Sequence, residues 1–143
     1  MDPTAHHYGI TVSDLDRSIA FYRDVLGMTV ADRFSMDPDR FGDLLGVDDG
    51  QAEVAFLDGF GFRLELEEHA KPNGNVNERT TPSDVGYPHL CLEVDNIEDA
   101  YRSLRDDADF VSPPGQASES GAKICYFRDP DGNLIELIES PSA

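Results

Sequence analysis

The feature that most narrows the folds open to this chain is an internal repeat. The run His7-x4-Val12-x-Asp14-Leu15-x-x-Ser18 aligns without a gap on His89-x4-Val94-x-Asn96-Ile97-x-x-Ala100. Late in each half, Leu64-Glu65-Leu66 matches Ile135-Glu136-Leu137 after an Asp-Gly pair. A period of about 75 residues is too long for a solenoid unit and suits a supersecondary module used twice. The sequence therefore reads as one domain over 1–143, built from modules at about 5–69 and 87–140 that are joined by the linker 70–86. That linker, AKPNGNVNERTTPSDVG, is polar and broken by Pro72, Gly74, Pro82 and Gly86, so no element is expected in it.

Each module opens with a strand and a helix. HHYGITV (6–12) alternates Tyr8, Ile10 and Val12 with His7, Gly9 and Thr11, a period of two. The next run starts with the cap formers Ser13 and Asp14 and carries Leu15, Ile19, Tyr22 and Leu26 at helical spacing before Gly27 stops it. One regular helix of about three turns is predicted. Residues 28–34 and 51–59 read as strands, separated by a short helix after Pro38 that carries Phe41, Leu44 and Leu45. FGFRLELEE (60–68) follows Asp58-Gly59, a hairpin signal. The second module repeats the scheme with a strand at 89–94, a helix at 96–107, a loop around Pro113-Pro114-Gly115, and strands at 122–128 and 133–139.

A chain of 143 residues can bury roughly two-thirds of the surface its unfolded form exposes. The net charge of -18 comes from 29 acids against 11 Lys and Arg, spread along the chain. That balance excludes nucleic acid as a partner. A surface rich in Asp and poor in Lys fits a protein of a salt-rich, halophilic cytoplasm, where a Debye length of ~3 Å at 1 M salt screens self-repulsion. The start MDPTAHHYG has neither a basic region nor an apolar run, and no segment has bilayer length, so a cytoplasmic protein without membrane association is expected. Cys91 and Cys125 lie inside strands without CxxC spacing and read as buried free thiols.

Each half thus supplies one His on its first strand and one Glu on its last: His7 with Glu65, and His89 with Glu136. If the strands curl into a cupped sheet with helices outside, the faces of Tyr8, Ile10, Val12 and of Leu90, Leu92, Val94 turn to the helices. His7, His89 and Glu65 then turn into the cup. Glu136 has apolar neighbours on both strand faces, so its direction is assigned by the repeat alone. A lone strand His or Glu is usually a solvated surface residue, but the recurrence of both types in both halves reverses that reading. Two imidazoles and two carboxylates form an N/O set suited to one borderline divalent ion such as Zn, Ni, Co, Fe or Mn. Such a cation would offset the cost of burying two carboxylates. His6 reads as an N-terminal surface residue, and His69 has no counterpart in the repeat. Arg63 reads as a surface ion-pair partner of Glu67, the alternative being a substrate carboxylate. Phe21 and Tyr22 read as core.

Together HHYGITVSDLDRSIAFYRDVLGM, GYPHLCLEVDNIEDAY and FRDPDGNLIELIE resemble the vicinal oxygen chelate superfamily, over nearly the whole chain. The resemblance implies an α+β fold, with paired βαβββ modules forming a cupped mixed sheet around one divalent metal, and His7, Glu65, His89 and Glu136 as its ligands. The His-Glu-His-Glu set is most similar to the glyoxalase I type, the lactoylglutathione lyases. This implies a lyase or isomerase moving a proton next to a carbonyl through a metal-stabilised enediolate, on a methylglyoxal–thiol hemithioacetal-like substrate. Glu136 is then the first choice of base and Glu65 its partner. A homodimer is expected, because glyoxalase-like chains of this size commonly pair. The glutathione-using members commonly have Arg and Asn where this chain has Thr11 and His69, so the resemblance implies a small thiol without specifying which one. The alternatives are an extradiol-type dioxygenase, a methylmalonyl-CoA epimerase-like enzyme, in which Gln typically replaces Glu65, and a ligand-binding protein without turnover.

Overall fold

The computed structural model describes residues 1–47, 50–71, 81–117, 119 and 121–141, so most of the linker lies outside the described residues. The chain divides into two compact units, Met1–Asn75 and Val76–Ala143. The α+β class read from the sequence holds, since each unit is a mixed sheet carrying one principal helix.

In the first unit the order is β1 (Tyr8–Thr11), α1 (Leu15–Ala20), β2 (Thr29–Ser35), α2 (Pro38–Leu45), β3 (Ala52–Gly59) and β4 (Phe62–His69). Its sheet runs β1-β4-β3-β2, with β1 parallel to β4 and the other pairs antiparallel. In the second unit, β5 (His89–Glu93) is followed by α3 (Ile97–Leu104), β6 (Asp109–Phe110), β7 (Gly115–Gln116), β8 (Lys123–Arg128) and β9 (Leu134–Glu139). Here β5 is parallel to β9, β9 is antiparallel to β8, and β6 and β7 both pair with β8. The first unit is βαβββ with α2 inserted between β2 and β3, and the second follows the same order with one extra short strand, β7. The strands β6 and β7 fall where the sequence shows a loop, because two residues are too few to display an alternation.

Helix α1 packs on β3 and β4, and α3 packs on β8 and β9. Beneath them lie Leu64, Leu66 and Tyr22 in one unit, and Phe127, Ile135 and Leu137 in the other, all essentially inaccessible to water. Along β1 burial deepens towards the helix: Tyr8 is exposed, Ile10 half-buried and Val12 buried. The helix read as regular over Leu15–Leu26 departs from that expectation. From Phe21 to Val25 it widens into a π-helical turn, where the Leu26 amide reaches the Phe21 carbonyl at 3.2 Å. The wider turn accompanies burial of the adjacent rings of Phe21 and Tyr22, which meet edge to face at 5.3 Å. The first hairpin turns two residues later than Asp58-Gly59. Its central pair is Phe60-Gly61, both with positive φ (54° and 78°), which gives the twist that a two-residue connection needs.

The two helices start in the same way. Asp14 Oδ1 accepts from the Arg17 amide at 2.9 Å, and Asn96 Oδ1 from the Asp99 amide at 3.0 Å. A second acceptor comes from the last strand of the same unit: Glu68 Oε2 takes the Leu15 amide at 2.6 Å, and Glu139 Oε2 the Ile97 amide at 2.8 Å. A carboxylate at a helix N-terminus satisfies an orphan donor and complements the helix dipole. Glu68→Ala and Glu139→Ala should each lower stability by about 1–3 kcal/mol, as expected for a hydrogen bond to a charged group. The loss would be read as a lower urea midpoint at unchanged slope. An unchanged midpoint would show that the cap contributes nothing.

Candidate functional site

In the first unit the parallel register sets Gly9 beside Glu65, two residues beyond His7. The Glu65 carboxylate reaches back along the neighbouring strand, and its Oε2 lies 3.0 Å from His7 Nε2. Gly9 leaves the room for this, since a Cβ there would sit 3.3 Å from Glu65 Oε2. The second unit repeats the arrangement. Cys91 is beside Glu136 in the parallel register, and Glu136 Oε2 lies 3.0 Å from His89 Nε2. In both pairs the carboxylate is the enclosed partner, at 14% and 12% side-chain exposure, while the imidazoles keep 34% and 43%.

An aromatic ring from the next strand completes each pair. Phe56 is the antiparallel partner of Glu65 and packs against the His7 ring at 5.6 Å. Tyr126 is the partner of Glu136 and meets the His89 ring edge to face at 6.0 Å. Sequence reasoning missed both rings, although an aromatic residue in the strand before each glutamate was a signal that could have found them.

The sequence-predicted donors are therefore gathered as two pairs, His7 with Glu65 and His89 with Glu136, one in each unit. Among the described residues, no three His, Cys, Asp or Glu side chains gather as a metal-holding group. The donor chemistry of each pair nonetheless fits a divalent cation. An imidazole Nε2 and a carboxylate oxygen converge to 3.0 Å in a partly enclosed position, and both are hard-to-borderline ligands.

Enclosure also sets the electrostatics. Burial, reinforced by the charge of neighbouring Glu67, raises the Glu65 pKa above its ordinary value, and His7 opposes that rise. The Glu136 carboxylate acts on the groups beside it. Burial, then the Glu136 charge and a hydrogen bond to it, raise the Tyr126 hydroxyl. The same causes, with the Glu93 charge added, push the Cys91 thiol up to about 11. Cys91 is exposed as a residue, which corrects the reading of it as buried, yet its sulfur is turned against Glu136; Cys125 is buried as expected.

Other candidates find different partners from those expected. Arg63 forms a two-pronged pair with Asp58, at 2.7 and 2.8 Å, and lies over the Phe56 ring, so Glu67 is not its partner. Glu67 instead meets His69 at 3.2 Å, and the His69 ring stacks on Phe41. Arg63 and Asp58 line a cleft of about 570 Å³ that also touches His6, His7 and Tyr8. His6, read as a surface residue, is exposed but not independent of the site. Its Nδ1 lies 2.7 Å from His7 Nδ1, and its ring packs edge-on against His7 and Phe56. In the second unit the turn before β9 is tied by Asp129, which accepts from the amides of Asp131 and Asn133 and from Asn133 Nδ2 at 2.8–2.9 Å. Arg128 donates to the Gly132 carbonyl and to the Tyr87 hydroxyl, both at 2.9 Å. These bonds fix where β9, and with it Glu136, begins.

The family profile of the Glyoxalase/Bleomycin resistance protein/Dioxygenase superfamily matches residues 4–137. A lactoylglutathione lyase of Salmonella typhimurium is 35% identical over 140 residues, spanning 96% of this chain and 93% of that protein. One from Haemophilus influenzae is 31% identical over 139 residues, spanning 95% and 92%. Among solved structures, a glyoxalase family protein from Bacillus cereus matches with a TM-score of 0.79 at 26% identity, covering 96% of this chain and 94% of that one. The trypanothione-dependent glyoxalase I of Leishmania major matches with a TM-score of 0.66 at 27% identity, covering 96% and 87%.

The setting of Cys91 generates a prediction about its reactivity. A thiol with a pKa of about 11 is protonated at pH 8. Alkylation of Cys91 by iodoacetamide should then run on the order of a hundredfold slower than at an unperturbed exposed thiol. Glu136→Gln removes a negative neighbour, lowers the Cys91 pKa and should accelerate labelling. Labelling of wild-type Cys91 at the unperturbed rate would show that the thiol is not held against Glu136.

Proposed function

The chain belongs to the Glyoxalase/Bleomycin resistance protein/Dioxygenase superfamily, and on that premise we propose that it is a divalent-metal-dependent lyase of the glyoxalase I type. Its substrate class would be the hemithioacetal of methylglyoxal and a small thiol. The observation that carries this reading is the duplicated His–Glu pair, closed to the same 3.0 Å in each unit. Likeness to lactoylglutathione lyases along almost the full chain supports it.

His7, Glu65, His89 and Glu136 would hold one ion of the Zn, Ni, Co, Fe or Mn class. When bound, the ion would polarise the substrate oxygens beside the carbon that loses its proton. Glu136 would take the proton from the carbon next to the carbonyl and return it to the neighbouring carbon, with Glu65 as the second carboxylate. Burial raises the Glu65 pKa, which suits a carboxylate that takes part in proton transfer. Thr11 and His69 leave the thiol open. The Leishmania relative, a trypanothione-dependent glyoxalase I, is a case within the family of a thiol other than glutathione.

Because each unit brings two donors, a complete site requires two units, supplied by one chain or by two. We infer a homodimer that acts on a small molecule in a salt-rich cytoplasm. No described helix is long and apolar enough to cross a membrane.

Metal analysis and turnover test the reading together. His7→Ala and His89→Ala should each abolish binding of the ion, and full occupancy in either would overturn the ligand set. Glu136→Gln keeps an oxygen for the ion but cannot accept a proton. Turnover and solvent deuterium exchange should fall ~10²–10⁴-fold at matched metal content. Wild-type exchange in that variant would transfer the role of base to Glu65. Assays with methylglyoxal and a panel of thiols identify the co-substrate, and light scattering at high salt that gives monomer alone would exclude a site shared between chains.

A further inference from the structure

We infer that His6 is a positioning residue for His7, holding the His7 ring in the tautomer that leaves Nε2 free to ligate a metal. The inference rests on the reading of His7 as a ligand and adds a residue to that site.

The two Nδ1 atoms lie 2.7 Å apart, within hydrogen-bond distance, and the rings meet edge to face with centroids 5.0 Å apart. Phe56 packs against both rings, at 5.6 Å from His7 and 6.3 Å from His6, so the pair has a common support. His7 Nε2 is turned to Glu65.

A neutral imidazole carries one N–H. When Nε2 of His7 donates to Glu65, its Nδ1 is the lone-pair nitrogen and accepts from His6 Nδ1–H. When Nε2 instead offers its lone pair to a cation, the proton sits on Nδ1 and must be donated. His6 Nδ1 then accepts it, with the His6 proton on its own Nε2. His6 can serve in either sense because an imidazole nitrogen is donor or acceptor according to its tautomer. A ligating histidine whose other nitrogen has a fixed partner keeps its ring orientation and basicity, and loss of such a partner commonly weakens metal binding about 10–100-fold.

The repeat isolates the feature. The residue before the second ligand candidate, matching His6 in the alignment of the halves, is Pro88, which has no polar side chain. The device therefore belongs to one unit and is not a by-product of the fold they share.

The test measures the zinc dissociation constant by chelator competition at one fixed pH, for wild type, His6→Leu, His6→Asn and His7→Ala. His6→Leu should weaken zinc binding by about tenfold or more. His6→Asn, which keeps an acceptor at the same distance from its backbone, should restore most of the affinity. Thermal unfolding of the zinc-free proteins should be unchanged, since the His6 side chain is exposed. Wild-type affinity in His6→Leu overturns the inference. So does equal weakening in the Leu and Asn variants, which would point to ring packing rather than an acceptor. Wild-type affinity in His7→Ala would instead overturn the ligand reading on which the inference stands, so the two failures are distinguishable.

Discussion

The parallel pairing of the first and last strands of each unit is the constraint on which the rest depends. A single register, Gly9 beside Glu65 and Cys91 beside Glu136, brings each glutamate within 3.0 Å of the histidine that opens its unit. The same register lets the glutamate three positions further on accept the first amide of the helix that follows the opening strand. Side chains alternate along a strand, so these two glutamates leave opposite faces. One serves the helix side and the other the open side. Helix start, sheet register and donor placement are thus one geometric fact, satisfied twice.

The copies have diverged around that common frame. Glu65 is bordered by Gly9 and the Phe56 ring, which offer no side-chain donor, and its pKa is raised. Glu136 is bordered by a thiol and a phenol, each with a hydrogen bond to it among the causes of its own raised pKa. The histidines are differentiated in the opposite sense, with a polar neighbour in His6 for His7 and Pro88 for His89. Duplication accounts for equal distances, and divergence of the flanking residues accounts for unequal surroundings.

Much of this was legible in the sequence because the repeat is long-range evidence that a single strand or helix pattern cannot supply. Aligning Asp14-Leu15 on Asn96-Ile97 located both helix starts. The matching Leu-Glu-Leu and Ile-Glu-Leu triplets located both last strands, and the position of Glu136, undecidable from its own apolar neighbours, followed from Glu65. What escaped had no periodic signature. The π-helical turn at Phe21–Val25 buries Phe21 and Tyr22, the residues read as core, so apolar spacing does not reveal it. The strands β6 and β7 have two residues each. Arg63 chose Asp58 across the hairpin over Glu67 on its own strand, a choice decided by antiparallel register. Cys91 looks internal by its strand, but β5 is an edge.

The fixed interval between the two glutamates of each last strand also determines where the chain can change length. An insertion between Glu65 and Glu68, or between Glu136 and Glu139, would throw one of them to the wrong face and forfeit either the cap or the donor. The connections feeding those strands can differ in length as long as each strand enters in the same register. Two residues, Phe60 and Gly61, suffice between β3 and β4, whereas five, 129–133, are used between β8 and β9. The hairpin tips are therefore where lineages derived from such a duplicated chain can gain or lose residues while every donor keeps its place.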